Sequence, residues 1–513
     1  MKTSYFMGID NGGSTTKCVI FDQNGTTIAR ASARVRMYKP GGGRTERDGN
    51  DVWQANCQVI KAALKQSSLK AENIQAVSMC GYGGGMILTD AQGFPVCPFI
   101  VSTDSRADSL LTEFQHTGID DAVYARTLQH LWSGQPGMLL PWFQRNQPDI
   151  LKQASHVMMI KDYIRYRLTG VIGTERTDAS NTNLFDLHTE KFEPEIFRIL
   201  GIENCYSLLP QKIFSPCQIA GYVTGEASLQ TGLCPGTPVA AGLYDVAACT
   251  LASGILDDTI LSLVVGTWSI SGHLATDLES CYGQNNVMFS FLDGWYFSEE
   301  SSPTSASNLD WFLEQCYGSL IPEEEDTYEY CNRIVSAMDP SESSLIFLPY
   351  LYGSNTAFPA KACFFQMESH HTVHHMLAAV YEGILFSLLQ HIDTLYGKRL
   401  PRSARFSGGA SRSPVWCQML ADILGIPIEV MGCSELGALG CAVCAAVACG
   451  TYPDYKTAVG EMCRVTKTYF PDRERTDIYG NKYREYQKAV QCLTLFYAQD
   501  ETAPNPTEEQ NNK

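Results

Sequence analysis

Two short segments of this 513-residue chain join glycine to hydroxyl side chains in a pattern that suits a polyphosphate. In Asp10-Asn11-Gly12-Gly13-Ser14-Thr15-Thr16-Lys17, Gly12 and Gly13 allow close backbone approach. Ser14, Thr15 and Thr16 add hydroxyls, and Lys17 adds a positive charge. Asp10 offers a carboxylate to magnesium or its water ligands. Gly266-Thr267-Trp268-Ser269 repeats the plan in the second half of the chain. Either segment alone is also an ordinary hairpin turn; their pairing at equivalent places in two half-chains is what points to phosphate. Neither fits G-x-x-x-x-G-K-[ST], and the protein-kinase motifs are absent, so the grip is of another design.

Transfer of a phosphoryl group to a hydroxyl needs a carboxylate to accept the hydroxyl proton. Asp245 is the candidate, at the end of an apolar run and just before an Ala-rich helix, and with Asp10 it is the expected pair of magnesium ligands. By position alone, an ordinary helix-capping aspartate is the stronger reading. Two other clusters read as structure. Cys441 and Cys444 form a C-x-x-C inside an Ala-rich stretch with no second pair at zinc spacing, and His370, His371, His374 and His375 lack the Glu of H-E-x-x-H and read as a helix start.

The elements that must carry these groups follow from periodicity. Strands are expected over 5–10 and 17–22 around the first polar loop, a helix over 51–67 and a strand over 74–80. A strand over 238–243 leads to Asp245. The chain then restarts with strands over 260–265 and 270–274 around Gly266, and a strand over 404–407 is followed by a Gly408-Gly409-Ala410 turn and a helix over 413–424. A strand over 426–430 and a helix over 435–449 come last. Two similar lobes with a ligand cleft between them are the expected arrangement.

Composition sets the outer bounds. Apolar residues at 44% and charged residues at 18% describe a packed globular chain of more than one core. A net charge of −17 without a long basic block argues against nucleic acid as a partner. No apolar run of about 18 residues and no signal-peptide pattern occur, so no membrane partner and a cytoplasmic location are expected. The 19 cysteines, scattered through apolar runs, read as free thiols rather than a disulfide framework.

From Gly8-Ile9-Asp10 to about Gly450 the chain resembles the FGGY family of carbohydrate kinases. The resemblance is carried by the Asp10–Lys17 segment, Lys161-Asp162-Tyr163, Leu168-Thr169-Gly170, Gly242-Leu243-Tyr244-Asp245, Gly266-Thr267, Ser407-Gly408-Gly409-Ala410 and Gln418-x-x-x-Asp422. It implies an α/β fold of two ribonuclease-H-like, actin-like lobes, with ATP and Mg2+ used to phosphorylate a sugar and Asp245 as general base. It further implies that Gly408, Gly409 and Ala410 line the adenosine pocket, supported by Gln418 and flanked by Glu435. A division into lobes at 1–254 and 255–450, a helical extension at 451–499 and a disordered tail at 500–513 goes with it.

Within the family, the segments Leu131-Trp132-Ser133-Gly134-Gln135-Pro136, Ser302-Pro303-Thr304-Ser305 and Phe347-Leu348-Pro349-Tyr350 resemble ketopentose kinases. The implied acceptor is a ketopentose such as L-xylulose, or 3-keto-L-gulonate. Asp104 and Arg106 fall where the family contacts its sugar, with a mutual structural salt bridge as the equal alternative, and Tyr82 and Trp132 complete the expected sugar site. Two departures stand out: Tyr82-Gly83-Gly84-Gly85 replaces a segment with sugar-gripping side chains, and Ala362 and Gln366 stand where the family's second signature carries glycine. Other acceptors of the family, and an actin-like or Hsp70-like ATPase acting on a protein partner, remain alternatives. Monomer and homodimer are both open.

Overall fold

Strands meet at one edge when their registers align, and that is how the first half of the chain gathers its polar loops. The computed structural model describes residues 3–266, 268–353, 360–396 and 400–498. By internal contacts the chain falls into two units. Unit 1 comprises Met1–Asp258, Leu274–Ser298 and Gly432–Arg464; unit 2 comprises Thr259–His273, Glu299–Met431 and Val465–Lys513.

In unit 1 the alternating apolar residues of Tyr5–Asn11 and Thr15–Asp22 form an antiparallel hairpin, with Asp10 opposite Lys17 and Asn11 opposite Thr16. Thr27–Arg34 extends it on one side. On the other, Ile74–Gly81 runs parallel to the first strand with Cys80 beside Asp10. The expected strand over 238–243 is two pieces, Pro238–Ala240 and Leu243–Tyr244. Gly242 separates them at φ +89°, a conformation that favours glycine, and a Cβ there would sit 2.1 Å from the Met79 carbonyl oxygen. Leu243 pairs beside Cys80 and Tyr244 beside Gly81, so Asp245 emerges at the sheet edge where Asp10 ends.

Gly49–Ser67 covers one face of this sheet. Asp48 caps it by accepting from the Asn50 and Asp51 amides. Burial of Val52, Trp53, Val59 and Ile60 along its apolar stripe contributes about 1.5–3 kcal/mol for each side chain. Leu436–Ala448 and Asp245–Ala252 pack against each other, and the former lies against the central strands. The Ala438 carbonyl comes so close to Gly8 that a Cβ would meet it at 1.9 Å.

Unit 2 repeats the plan. Ile260–Val265 pairs antiparallel with Ser269–Ala275 and parallel with Ser403–Ser407, which pairs parallel with Ile428–Met431. Val264 stands opposite Ser407, so the Gly266 and Gly408 turns leave the same edge. Val373–Tyr396, Pro414–Leu424 and Arg473–Ala498 are its main helices.

The contact units depart from the linear division. Leu436–Ala448, expected in the second lobe, belongs to unit 1 because it closes on the first strand. The region 451–499 is split: Tyr455–Met462 stays with unit 1, while Val465–Tyr469 adds an antiparallel edge strand to unit 2. Residues 500–513 lie outside the described residues, as does Thr267. All 19 cysteines are free thiols. His371 and His375 accept the Glu368 and Thr372 amides through Nδ1 at the start of Val373–Tyr396. Among the described residues no helix is long and apolar enough to cross a membrane, and no group of three or more His, Cys, Asp or Glu is arranged to hold a metal.

Candidate active site

The first hairpin loop is open where the sequence is glycine and serine. Gly13 and Ser14 are exposed, and a Cβ at Gly13 would meet nothing within 4 Å. Thr15 is half-buried. Thr16 faces inward instead, its hydroxyl donating to Asn11 Oδ1 at 3.4 Å while Asn56 Nδ2 donates to the same oxygen at 2.9 Å. The Gly12 amide closes the turn on the Thr15 carbonyl at 3.1 Å.

Asp10 and Lys17 lie side by side at the strand ends. Burial lifts the Asp10 carboxyl above the usual carboxylate range, with Glu435 adding to the rise, while Lys17 and a 3.6 Å contact from Cys80 Sγ oppose it. Burial alone would lower the Lys17 ammonium. Glu435, at 2.9 Å, and Asp10 outweigh that and hold it above its ordinary value. Glu435, at the N-cap position of Leu436–Ala448, thus pairs with the first hairpin of unit 1 and is not in the lining of the unit 2 cavity described below.

Asp245 is the first residue of its helix, half-buried, and accepts the Val246 amide through Oδ1 at 2.8 Å. Asp10 and Asp245 share a neighbourhood: after burial, the charges of both push the Cys249 thiol well above its ordinary value. Residues before Asp245 are braced from below. The Tyr244 amide donates to Thr177 Oγ1 at 3.0 Å, and Thr177 donates to Glu175 at 2.7 Å. Glu175 belongs to a buried ionic cluster in which Lys161 lies 2.8 Å from Asp162, 3.1 Å from Asp178 and 3.7 Å from Glu175, with Arg165 2.7 Å from Asp162. Three carboxylates share two cations here, and burial pushes Asp178 up to about 7.

The expected sugar residues divide. Tyr82 is buried under the hairpin, its amide donating to the Asn11 carbonyl at 3.1 Å, and burial pushes its phenol up to about 12. Trp132 is 44% exposed, and a Cβ on Gly84 would lie 3.3 Å from its ring. Gly83 packs as closely against Asn181 and Tyr244, so the glycine run trades side chains for contact with the segment leading to Asp245. Asp104 and Arg106 form the structural salt bridge. Arg106 Nε and Nη2 reach Asp104 at 2.7 and 2.8 Å, Nη2 also reaches Glu46 at 2.7 Å, and the Thr45 amide takes Asp104 Oδ2 at 2.6 Å.

Arg47, which sequence reasoning passed over, is buried beneath the loop and donates to the carbonyls of Gly12, at 3.4 Å, and Gly13. The charged run Arg44-Thr45-Glu46-Arg47-Asp48 was the available signal.

Unit 2 holds a cavity of about 530 Å³ whose walls include Gly266, Gly409, Ala410, Asn332, Tyr381 and Trp416. Such a size with an aromatic floor suits a nucleoside. Gly408 turns at φ +91°, where a Cβ would meet the Val265 carbonyl at 2.4 Å. The Gly266 carbonyl is held by Ser305 Oγ at 2.8 Å and the Ala306 amide at 3.2 Å. Asn332 Oδ1 accepts from Ser413 at 2.7 Å and from Tyr381 at 3.3 Å. Gln418 lies behind this wall, donating to Asp422 at 2.8 Å and to the Phe470 carbonyl at 2.9 Å.

Comparison with known proteins gives the family of the chain and relatives of its fold. Residues 5–252 match the N-terminal domain of the FGGY family of carbohydrate kinases, and residues 261–449 match its C-terminal domain. A probable L-xylulose kinase of Pasteurella multocida is 34% identical over 494 residues, covering 96% of this chain and 99% of that protein. The L-xylulose/3-keto-L-gulonate kinase of Escherichia coli is 34% identical over 498 residues, covering 97% and 98%. In fold, a gluconate kinase from Lactobacillus acidophilus superposes with a TM-score of 0.88 at 24% identity, covering 97% of this chain and 100% of that one.

Proposed function

The chain belongs to the FGGY family of carbohydrate kinases and is a sugar phosphotransferase that uses ATP; on that premise we propose that it phosphorylates a ketopentose such as L-xylulose, or 3-keto-L-gulonate, with Asp245 as general base. The observation that carries the role of Asp245 is its register. It follows directly on the strand piece beside Cys80, at the edge where Asp10 and the hairpin loop end. A carboxylate there, oriented by the Val246 amide, is placed to take the proton of an acceptor hydroxyl as the phosphoryl group transfers. In unit 1, Gly13, Ser14, Thr15 and Lys17 are the phosphate-binding groups of this reading, with Gly12 closing their turn; in unit 2, the cavity lined by Gly409, Ala410 and Gly266 is its nucleoside site.

The donor set suits Mg2+. Asp10 and Asp245 are hard oxygen donors, and the raised Asp10 carboxyl is one that a nearby cation would return to its charged form. A pair of carboxylates is the usual protein share for an ion that keeps several waters and binds phosphate oxygens. Bound there, Mg2+ would neutralise charge on the transferring group.

The substrate is read from the relatives' names and from the Tyr82, Trp132 and Asn181 surroundings, with Asp104 and Arg106 shaping that wall through their mutual pairing. A screen of acceptor-dependent ADP release over ketopentoses, aldoses, polyols and keto-acids tests it. Turnover fastest on L-xylulose or 3-keto-L-gulonate is expected; activity confined to glycerol, gluconate or D-sugars would overturn the choice.

A further inference from the structure

Arg47 ends the strand Arg44–Arg47, where it pairs opposite Phe99 and is only 2% exposed. Its guanidinium donates to the carbonyl oxygens of both Gly12 and Gly13, while Nε takes no partner. The same group lies over the Tyr82 ring at 5.7 Å. In a trans peptide the carbonyl and the following amide point in opposite directions. Holding the Gly12 carbonyl therefore turns the Gly13 amide away from Arg47, and holding the Gly13 carbonyl does the same to the Ser14 amide. Among the described residues no group accepts from either amide, and both residues are exposed.

We propose that Arg47 is a positioning residue for ATP: by gripping both loop carbonyls it presents the Gly13 and Ser14 amides outward as a ready pair of phosphate donors. This rests on the reading that the first hairpin binds phosphate. A planar fork with several donors suits two adjacent carbonyls, and an ammonium is a point charge that does not reproduce it. The strand also ties the loop to the sugar wall, because its Glu46 holds Arg106 and its Thr45 amide holds Asp104. Two carbonyl dipoles that would otherwise face the phosphates are neutralised in the same act.

The test measures the affinity of a non-hydrolysable ATP analogue by calorimetry, with thermal melting and steady-state kinetics, for the wild type, Arg47→Lys and Arg47→Ala. Arg47→Lys keeps the charge and most of the buried stem. It is expected to melt near the wild type yet to bind the analogue at least about tenfold more weakly, with kcat lowered and the acceptor KM little changed. Millimolar guanidinium is expected to restore part of the affinity of Arg47→Ala. Wild-type-like nucleotide affinity and kcat in Arg47→Lys would overturn the proposal, as would a loss that follows melting temperature alone. A wild type that binds the analogue but phosphorylates no ketose would defeat the acceptor assignment and leave Arg47 to the affinity measurement.

Discussion

Lys17 Nζ stands 2.9 Å from Glu435 Oε2, so the cation of the first hairpin is held by a residue more than four hundred positions later in the chain. Arg30 approaches the same carboxylate at 3.9 Å. The contact links the hairpin to the helix that closes on Gly8.

That pair predicts a separation of stability from activity. Lys17 is 37% exposed, so solvent screening limits the stabilisation to about 1 kcal/mol or less. Glu435→Gln should leave melting nearly unchanged while raising the KM for ATP by roughly tenfold, because the ammonium loses its fixed position. Kinetics and calorimetry on the variant check this; a lower KM would mean that Glu435 competes with phosphate for Lys17.

The buried cluster behind Asp245 predicts a pH dependence of stability. The folded value of Asp178, about 7, lies above the unfolded carboxylate value, so the folded state binds its proton more tightly. Stability from this group is therefore present at low pH and diminishes as pH rises through the window between the two values. Asp178→Asn, neutral throughout, should remove that decline, so the variant's melting temperature relative to the wild type's should rise between about pH 4 and 7. Lys161→Met, which leaves three carboxylates with Arg165 alone, should cost about 3–5 kcal/mol in denaturant unfolding.

Asp104→Asn addresses the other buried pair. Both oxygens of Asp104 are engaged by Arg106 and the Thr45 amide, so removing its charge strands a buried guanidinium beside Glu46 and should destabilise by about 3 kcal/mol. Denaturant unfolding reads the loss. Acceptor KM measured well below the melting temperature separates a structural role from direct sugar contact: a structural role leaves it nearly unchanged.

What could be read beforehand were features local in sequence. The first hairpin was legible because period-two apolar runs flank a polar glycine loop, and Ile260–Val265 because its apolar run ends at Gly266. The site's long-range parts were not. Arg47 acts through backbone carbonyls of a distant loop, which no side-chain motif records. Glu435 reads as a helix start, and only packing of its helix against the first strand brings it to Lys17. Thr16 looked like a phosphate hydroxyl by adjacency, yet strand alternation turns it inward to Asn11.

Asp245→Asn tests most directly whether Asp245 accepts the proton of the acceptor hydroxyl, since the amide keeps the shape and cannot act as base. Nucleotide affinity should stay within about twofold of the wild type while kcat on the best ketose falls by about 10²–10⁴. A variant that turns over at nearly the wild-type rate would contradict the assignment.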